Sequence, residues 1–191
     1  EIKKYKGYLK PGNLEIFRDS LEAHHLGEEA KQFLFASGKL QTLCYKEEIE
    51  SALRTPGMGG FELLGLTDFP GQGTAPVGVL DTFWDDKGYV NASEFSRFCG
   101  PVVPLARLEK RVFTVAEPLT AELEVANFDE APLAHATPYC RLEGADGRVF
   151  ANEIFNPRDI PVDNGIPLGR VNFNLHGVPA PARYRLVAGF S

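Results

Sequence analysis

The stretch GGFELLGLTDFPGQGTAPVGVLDTFWDDKGY, residues 59–89, decides how the first half of this chain is interpreted. Residues 61–66 are apolar at every position except Glu62 and the glycine at 65, which is typical of a strand covered on both faces in a parallel sheet. The run ends on an acid, Asp68, and enters a loop rich in glycine and proline. The stretch therefore predicts a buried strand with a carboxylate at its end.

Helical patterns surround this predicted strand. Leu14, Phe17 and Leu21 fall at i, i+3 and i+7 and predict one amphipathic helix. A second helix is predicted over residues 28–53, and Asn91 has the side chain of an N-cap for a short third helix. A helix followed by a buried strand is half of an α/β repeat. One such strand cannot pair its own backbone, so we expect this half to be the last part of a larger α/β fold.

From about residue 104 the apolar pattern changes to a period of two. Leu119, Ala121, Leu123 and Val125 fall on one face of a strand, with polar residues between them. Turn signals separate several such segments, which argues for an antiparallel β-sandwich. The strand candidates lie near residues 107–115, 119–127, 137–143, 147–155, 168–176 and 183–190.

Composition and net charge exclude some classes of binding partner for this protein. The net charge of −6 argues against nucleic acid or an anionic membrane surface as a main partner. No run reaches the roughly 18 apolar residues of a transmembrane helix, and no signal peptide is visible. The three cysteines are widely spaced and odd in number, which favours reduced structural thiols over a disulfide framework or a metal site.

The order of motifs resembles glycoside hydrolase family 2, the clan of β-galactosidases, β-glucuronidases and β-mannosidases. The segments that carry the likeness are EIKKYKGYLKPGNLEIFRDSLE, FLFASGKLQTLCYKEEIESALRTPGMGGFELLGLTDFPGQGTAPVGVLD, EFSRFCGPVVPLARL and LTAELEVANFDEAPL. The resemblance implies that residues 1–103 form the C-terminal portion of a (β/α)8 barrel. It also implies that residues 104–191 form an antiparallel immunoglobulin-like β-sandwich.

The resemblance further implies where a substrate would bind. In such barrels the site lies at the carboxyl ends of the strands, so Asp68, Phe69, Gln72 and Trp84 are the candidate substrate-binding residues. An acid there accepts hydrogen bonds from sugar hydroxyls, and an aromatic ring stacks on a pyranose face. Spacing alone favours Asp68 as a turn residue that caps a strand, and it is the resemblance that reverses this preference. Trp84 equally packs the loop in place.

Catalysis needs residues that this sequence does not match. Retaining glycosidases use two carboxylates about 5–5.5 Å apart. Neither glutamate of the family has a matching position here, and the resemblance puts the nearer one just upstream of Glu1. We therefore expect no catalytic residue, cofactor or metal in these 191 residues, and we expect the chain to be a fragment.

The sequence thus predicts a fragment of a retaining β-glycosidase, β-galactosidase-like, that supplies one wall of a sugar cleft and a bracing sandwich. Its expected partners are a carbohydrate substrate and either the missing N-terminal part of the same polypeptide or another chain that covers the strand edge. A periplasmic or secreted location is favoured. The alternative is a non-catalytic carbohydrate-binding or structural β-sandwich protein.

Overall fold

The computed structural model describes residues 1–69 and 76–191, and the chain divides into two compact units. The first unit comprises Glu1–Glu48 and Phe61–Arg97, and the second comprises Ile49–Gly60 and Phe98–Ser191. Each unit has a hydrophobic cluster of its own. Along the part of the chain that is described, no helix is both long and apolar enough to cross a membrane.

Three α-helices occur in the described residues, and they are α1 (Gly12–Ala23), α2 (Ala30–Leu53) and α3 (Ala92–Phe95). Single 3₁₀ turns at Ile2–Lys4 and Gly27–Glu29 precede α1 and α2. Helix α1 begins after Pro11 with no side-chain capping bond. Helix α3 begins as predicted, because the Asn91 side chain accepts a 2.8 Å hydrogen bond from the backbone N–H of Glu94.

The predicted fold class, the end of a (β/α)8 barrel followed by an immunoglobulin-like sandwich, is wrong. The described residues form small antiparallel sheets, and α2 is their one long helix. No strand occupies residues 61–66, and this region of the chain makes only isolated bridges, such as Thr67 with Leu80. A barrel end with several long helices around a buried strand is therefore not what this sequence adopts.

Local conformation explains why residues 61–66 are not a strand. Gly65 has φ of +84°, a left-handed conformation that interrupts extended backbone. Leu64, which the strand pattern predicted to be buried, is 95% exposed. A continuous strand also requires partners for its N–H and C=O groups. An apolar run without a paired edge thus folds as turns.

The second unit contains eight strands. They are β1 (Val102–Leu108), β2 (Pro118–Asn127), β3 (Leu133–Ala136), β4 (Pro138–Gly144), β5 (Val149–Ile154), β6 (Arg158–Ile160), β7 (Asp163–Asn174) and β8 (Tyr184–Phe190). They pair as β1-β2-β7, β5-β4-β8 and β3-β6, and each of these pairings is antiparallel. The antiparallel character predicted from the period-two pattern is confirmed.

The segment between β1 and β2 differs from its prediction. A strand was expected near residues 107–115, but β1 ends at Leu108. The Glu117 carboxylate accepts hydrogen bonds from the backbone N–H of Thr114 at 2.7 Å and from its hydroxyl at 2.9 Å, and it pairs with Lys110. Val112, which would have belonged to that strand, is 83% exposed. Side-chain hydrogen bonds to the backbone here hold a turn in place of the ladder.

One core joins the sheets of the second unit. Its buried side chains come from β2, β3, β4, β6 and β7, and they include Leu119, Ala121, Leu123, Val125, Cys140, Ile160, Val171 and Phe173. The predicted inward face of β2 is therefore confirmed. Asn164 at the start of β7 donates to the Thr55 carbonyl at 2.7 Å, which fastens the segment after α2 to this unit.

Candidate functional site

A short pairing of two backbone segments places Asp68 in the first unit. Leu80 donates its N–H to the Leu66 carbonyl at 3.0 Å, and Asp68 donates its N–H to the Leu80 carbonyl at 3.1 Å. Gly78 lies so close to this pairing that a Cβ added there would be 2.2 Å from the backbone nitrogen of Asp68. Only glycine fits at residue 78 without displacing backbone.

The Asp68 side chain is buried and its two oxygens differ. Its Oδ1 accepts hydrogen bonds from the Gly78 N–H at 2.8 Å and from Lys87 Nζ at 2.7 Å. Its Oδ2 is also buried but has no hydrogen-bond partner among residues 1–69 and 76–191. The Asp68 and Lys87 side chains are only 5% and 7% exposed, so this is a buried ion pair with one unused acceptor oxygen.

A second layer of polar groups holds this pair. Lys87 Nζ donates to the Gly78 carbonyl at 2.7 Å, and the Tyr89 hydroxyl lies 3.1 Å from the same oxygen and 2.8 Å from Gln41 Oε1. Burial raises the pKa of the Tyr89 phenol to about 12, and the negative charge of Asp68 adds to the shift. The position of Lys87 is thus fixed directly by Gly78, in the loop that precedes Lys87, and indirectly by Gln41 of α2 through the Tyr89 hydroxyl.

A second buried aspartate, Asp81, organises the neighbouring turn. Its Oδ1 accepts the backbone N–H of Phe83 at 2.8 Å and of Asp85 at 3.0 Å, and Oδ2 pairs with Lys4. Burial is the largest influence and raises the pKa of this carboxyl, but the hydrogen bonds from Lys4 and the two amides outweigh it and leave the pKa lowered. Asp81 is a structural acceptor whose hydrogen-bonding capacity is already used.

An open pocket adjoins Asp68 on the surface of the first unit. Its cavity volume is about 50 Å³, and it opens to bulk solvent. Asp68, Phe69, Tyr5 and Thr82 line it, together with Lys10 and the first residues of α1. The Tyr5 and Thr82 hydroxyls lie 3.0 Å apart. The pocket therefore combines hydroxyl groups, a carboxylate and an aromatic ring.

Glu1 also lines this pocket, and the pKa of its carboxyl responds to the burial and the charges there. Burial raises the pKa of the Glu1 carboxyl, and the negative charges of Asp68 and Asp81 raise it further. Lys10 lines the same pocket, and no described residue forms an ion pair with it. The described lining of the pocket consequently includes two carboxylates, those of Glu1 and Asp68, and one ammonium, that of Lys10.

The predicted site residues have different positions in the structure. Asp68 and Phe69 line the pocket together, and the Phe69 ring is 57% exposed. Trp84 is 68% exposed, but it lies on the turn that Asp81 holds and does not line the pocket. Gln72 lies outside the described residues. Asp68 is more buried than a residue at the rim of a cleft would be.

Sequence reasoning missed Lys87, Gly78 and Lys10. Lys87 follows Asp85 and Asp86, where a lysine is ordinarily a solvated surface residue, and no local pattern indicates that it is buried against Asp68. Over the described residues, no group of three or more His, Cys, Asp or Glu side chains is placed to hold a metal ion.

Comparison with known proteins concerns the other unit. Residues 117–190 match the family model described as Domain of unknown function (DUF8488). The matched range begins one residue before β2 and ends at the last residue of β8. The curated proteins give no match. The pocket beside Asp68 lies outside the matched residues.

Proposed function

We propose that the pocket beside Asp68 binds a sugar ring, and that it forms one wall of the substrate site of a retaining β-glycosidase. The observation that carries the proposal is the state of Asp68: one carboxylate oxygen is held by two donors while the other, also buried, has no partner in the described residues. A carboxylate held in this way is ready to accept a hydrogen bond from a hydroxyl group.

The cost of burying Asp68 Oδ2 without a hydrogen bond favours binding of a hydroxyl group at this oxygen. A buried acceptor without a partner costs about 1–3 kcal/mol, and more when it is charged. A sugar hydroxyl that donates to Oδ2 removes this penalty. Because Oδ2 is buried, a sugar hydroxyl reaches it only through a local rearrangement of the pocket wall.

The rest of the pocket wall suits the same class of ligand. The exposed Phe69 ring offers an apolar face of the kind on which the C–H side of a pyranose packs, and the Tyr5 and Thr82 hydroxyls both donate and accept. A ring that carries hydroxyl groups and one apolar face suits this combination of a carboxylate, hydroxyls and an aromatic ring.

Hydrolysis is the part of the proposal that rests on the resemblance to glycoside hydrolase family 2. The two catalytic glutamates of that family have no matching positions in residues 1–191. This chain would therefore bind sugar without turnover, and a longer polypeptide that carries both glutamates would hydrolyse an aryl β-glycoside. If such a polypeptide cleaved none of a broad panel of aryl β-glycosides, the enzymatic part of the proposal would be lost.

The binding part is tested on the chain itself by ¹⁵N–¹H NMR titration with methyl β-glycosides of galactose, glucose, mannose and glucuronic acid. We expect shifts at Asp68, Phe69 and Thr82. Asp68→Asn, titrated where circular dichroism shows it folded, should weaken binding about ten- to a hundredfold, because a hydrogen bond to a charged group contributes about 1.5–3 kcal/mol. Phe69→Ala, which leaves the buried pair of Asp68 and Lys87 intact, should also weaken binding because the exposed ring lines the pocket. Asp19→Asn is the matched control, since Asp19 is exposed on α1 and its one ion pair in the described part of the chain is with its neighbour Arg18.

Two results would contradict the binding proposal. One is the absence of shifts with every sugar. The other is a set of shifts confined to residues 118–190, which would favour a carbohydrate-binding sheet unit, the alternative function considered from the sequence.

A further inference from the structure

The pocket beside Asp68 is smaller than the sites in which proteins usually bind small molecules. Its cavity volume of about 50 Å³ holds a few water molecules, whereas such sites usually measure roughly 300–1,000 Å³. A sugar ring, or any molecule of similar size, therefore enters only when part of the pocket wall moves.

Two parts of the described wall are held by backbone structure. Asp68 belongs to the pairing with Leu80, and its side chain forms the buried ion pair with Lys87. Residues 12–14 are the first residues of α1. Displacing either part breaks backbone hydrogen bonds, so both parts are costly to move.

Residues 1–5, the strap, are held differently. They contribute Glu1 and Tyr5 to the lining of the pocket. In the described structure their backbone-to-backbone hydrogen bonds run only within the strap, from the Lys4 N–H to the Glu1 carbonyl and from the Tyr5 N–H to the Ile2 carbonyl. The strap can therefore leave the wall without breaking a backbone hydrogen bond to the rest of the described chain.

Lys4 holds the strap against the turn that follows Asp81. Its ammonium pairs with Asp81 and, at 2.6 Å, with Asp85. The Lys4 side chain is 39% exposed and that of Asp85 is 61% exposed, so water and salt reach this contact. Asp81 also accepts the amides of Phe83 and Asp85, so the turn keeps two of its hydrogen bonds when Lys4 leaves.

Tyr5 adds further contacts between the strap and the same turn. Its hydroxyl lies 3.0 Å from that of Thr82, and its ring packs edge to face on Phe83 with 5.0 Å between the ring centroids. The Phe83 side of this contact is itself exposed to solvent. Side-chain contacts at such a surface compete with water, so a segment held by them opens more easily than one held in a ladder.

We infer that the strap gates the pocket beside Asp68, and that the ion pairs of Lys4 with Asp81 and Asp85 keep it closed. When these pairs break, Glu1 and Tyr5 leave the lining and the cavity widens to admit a ligand. Lys4 is then a positioning residue, because it does not line the pocket but sets how often the pocket is open. The gate goes beyond the proposed sugar binding, since it acts on any ligand that enters.

The test measures how far a soluble probe reaches the pocket. A neutral gadolinium chelate speeds the relaxation of nearby protons, and the backbone amides of Leu14 and Thr82 report its access to the lining. Asp85→Asn should raise this relaxation about 1.5- to fivefold, the effect of one exposed ion pair on an opening equilibrium. Lys4→Met, which removes both pairs, should raise it further.

Lys3→Met is the matched control. Lys3 is an exposed lysine of the same 3₁₀ turn and forms no ion pair with the described residues, so its loss should leave the relaxation unchanged. The amide shifts of Phe83 and Asp85 show in each variant whether the turn around Asp81 is intact. Added sodium chloride needs no substitution, and it should raise the relaxation of the unsubstituted chain because it screens the exposed pair.

Affinity for methyl β-galactoside supplies a second readout, which rests on the proposed function. A gate that must open first lowers the apparent affinity in proportion to the open fraction. Lys4→Met should therefore bind this sugar more tightly than the unsubstituted chain, by the same factor as the relaxation rises. A lysine that only supported the wall would have the opposite effect, because its loss would weaken binding.

The outcomes separate the gate from sugar binding. Relaxation that stays unchanged in Asp85→Asn and in Lys4→Met, or that does not rise with salt in the unsubstituted chain, overturns the gate. Weaker sugar binding by Lys4→Met with the turn intact also overturns it. If no sugar binds while the relaxation rises as expected, the proposed function fails and the gate stands.

Discussion

At the residue scale, the charges of Asp68 and Lys87 stabilise each other because both side chains are buried. Both side chains are almost fully buried, and the 2.7 Å contact between them is the only ion pair that either forms in the described residues. Charges removed from water lose several kcal/mol of solvation each, and the partner restores part of it. The state of each residue therefore depends on the other.

Asp68→Asn should lower the free energy of unfolding of the first unit by about 3–5 kcal/mol, because the ammonium of Lys87 is left buried without a counter-charge. Urea denaturation followed by circular dichroism measures the change. The double variant Asp68→Asn with Lys87→Met should be more stable than Asp68→Asn alone, since neither charge is then buried unpaired. A double variant no more stable than Asp68→Asn would contradict the coupling.

Tyr89 gives a prediction about pH. Its pKa is raised to about 12 in the folded chain, above the ordinary phenol value of 10.0. The folded state therefore holds this proton more tightly, so the stability that Tyr89 contributes is fully present below about pH 10 and is lost as pH rises toward 12. Ultraviolet titration of the native protein beside Tyr89→Phe should show one phenol of high pKa missing from the variant. Identical titration curves would contradict the assignment.

At the scale of elements, the pairing of residues 66–68 with residue 80 depends on a close approach at Gly78. A Cβ there would lie 2.2 Å from backbone atoms of Thr67 and Asp68 and 2.6 Å from the Leu80 carbonyl oxygen. These atoms belong to the pairing itself and cannot move without breaking its hydrogen bonds. This glycine is consequently required by the structure around Asp68.

Gly78→Ala should destabilise the first unit by about 1–3 kcal/mol through overpacking, and it should weaken sugar binding along with the pairing. Thermal denaturation and the NMR titration measure the two effects. Gly7→Ala is the control, because Gly7 belongs to the same unit and a Cβ there meets nothing within 4 Å, so its effect should stay within about 0.5 kcal/mol. Equal effects of the two substitutions would argue against the close approach.

On the scale of the whole molecule, the two units differ in how much apolar surface they bury. In the described residues the cluster of the second unit includes a dozen buried side chains, whereas that of the first is built on Val79, Tyr89 and Val90. Helices α1 and α2 leave Ile16, Phe33 and Leu40 substantially exposed. Buried apolar area is the main source of folding stability, so the second unit should be the more stable.

Hydrogen exchange measured by mass spectrometry tests this difference. Amides of β2, β4 and β7 should exchange slowest, because they lie in paired ladders over the larger core. Amides of residues 61–65 should exchange faster than those of β4, since none of them donates a backbone hydrogen bond in the described structure. Slower exchange in residues 61–65 than in β4 would contradict the account.

Some of the fold and of the candidate site could be predicted from sequence because the signals are local. Alternation at Leu119, Ala121, Leu123 and Val125 places one face of β2 in the core, and each of these side chains is buried. Asn91 fixes the start of α3 through its own side chain. Asp68 is a candidate site residue through the resemblance rather than through its spacing; it lies beside the pocket, and its role in binding stays a prediction.

Other features were decided only by tertiary structure. The apolar run at residues 61–66 is compatible with a strand, but a strand needs a paired neighbour, and the described chain provides only an isolated bridge. Lys87 is buried against Asp68 from 19 positions away, and Lys10 reaches the same pocket from 58 positions away. The sequence by itself predicted the strands whose apolar residues alternate, and it named one acid, Asp68, as a candidate. Contacts between residues distant in sequence decided that no strand forms before Asp68. They also decided which charged side chains surround Asp68, because strand pairing and burial depend on the whole chain.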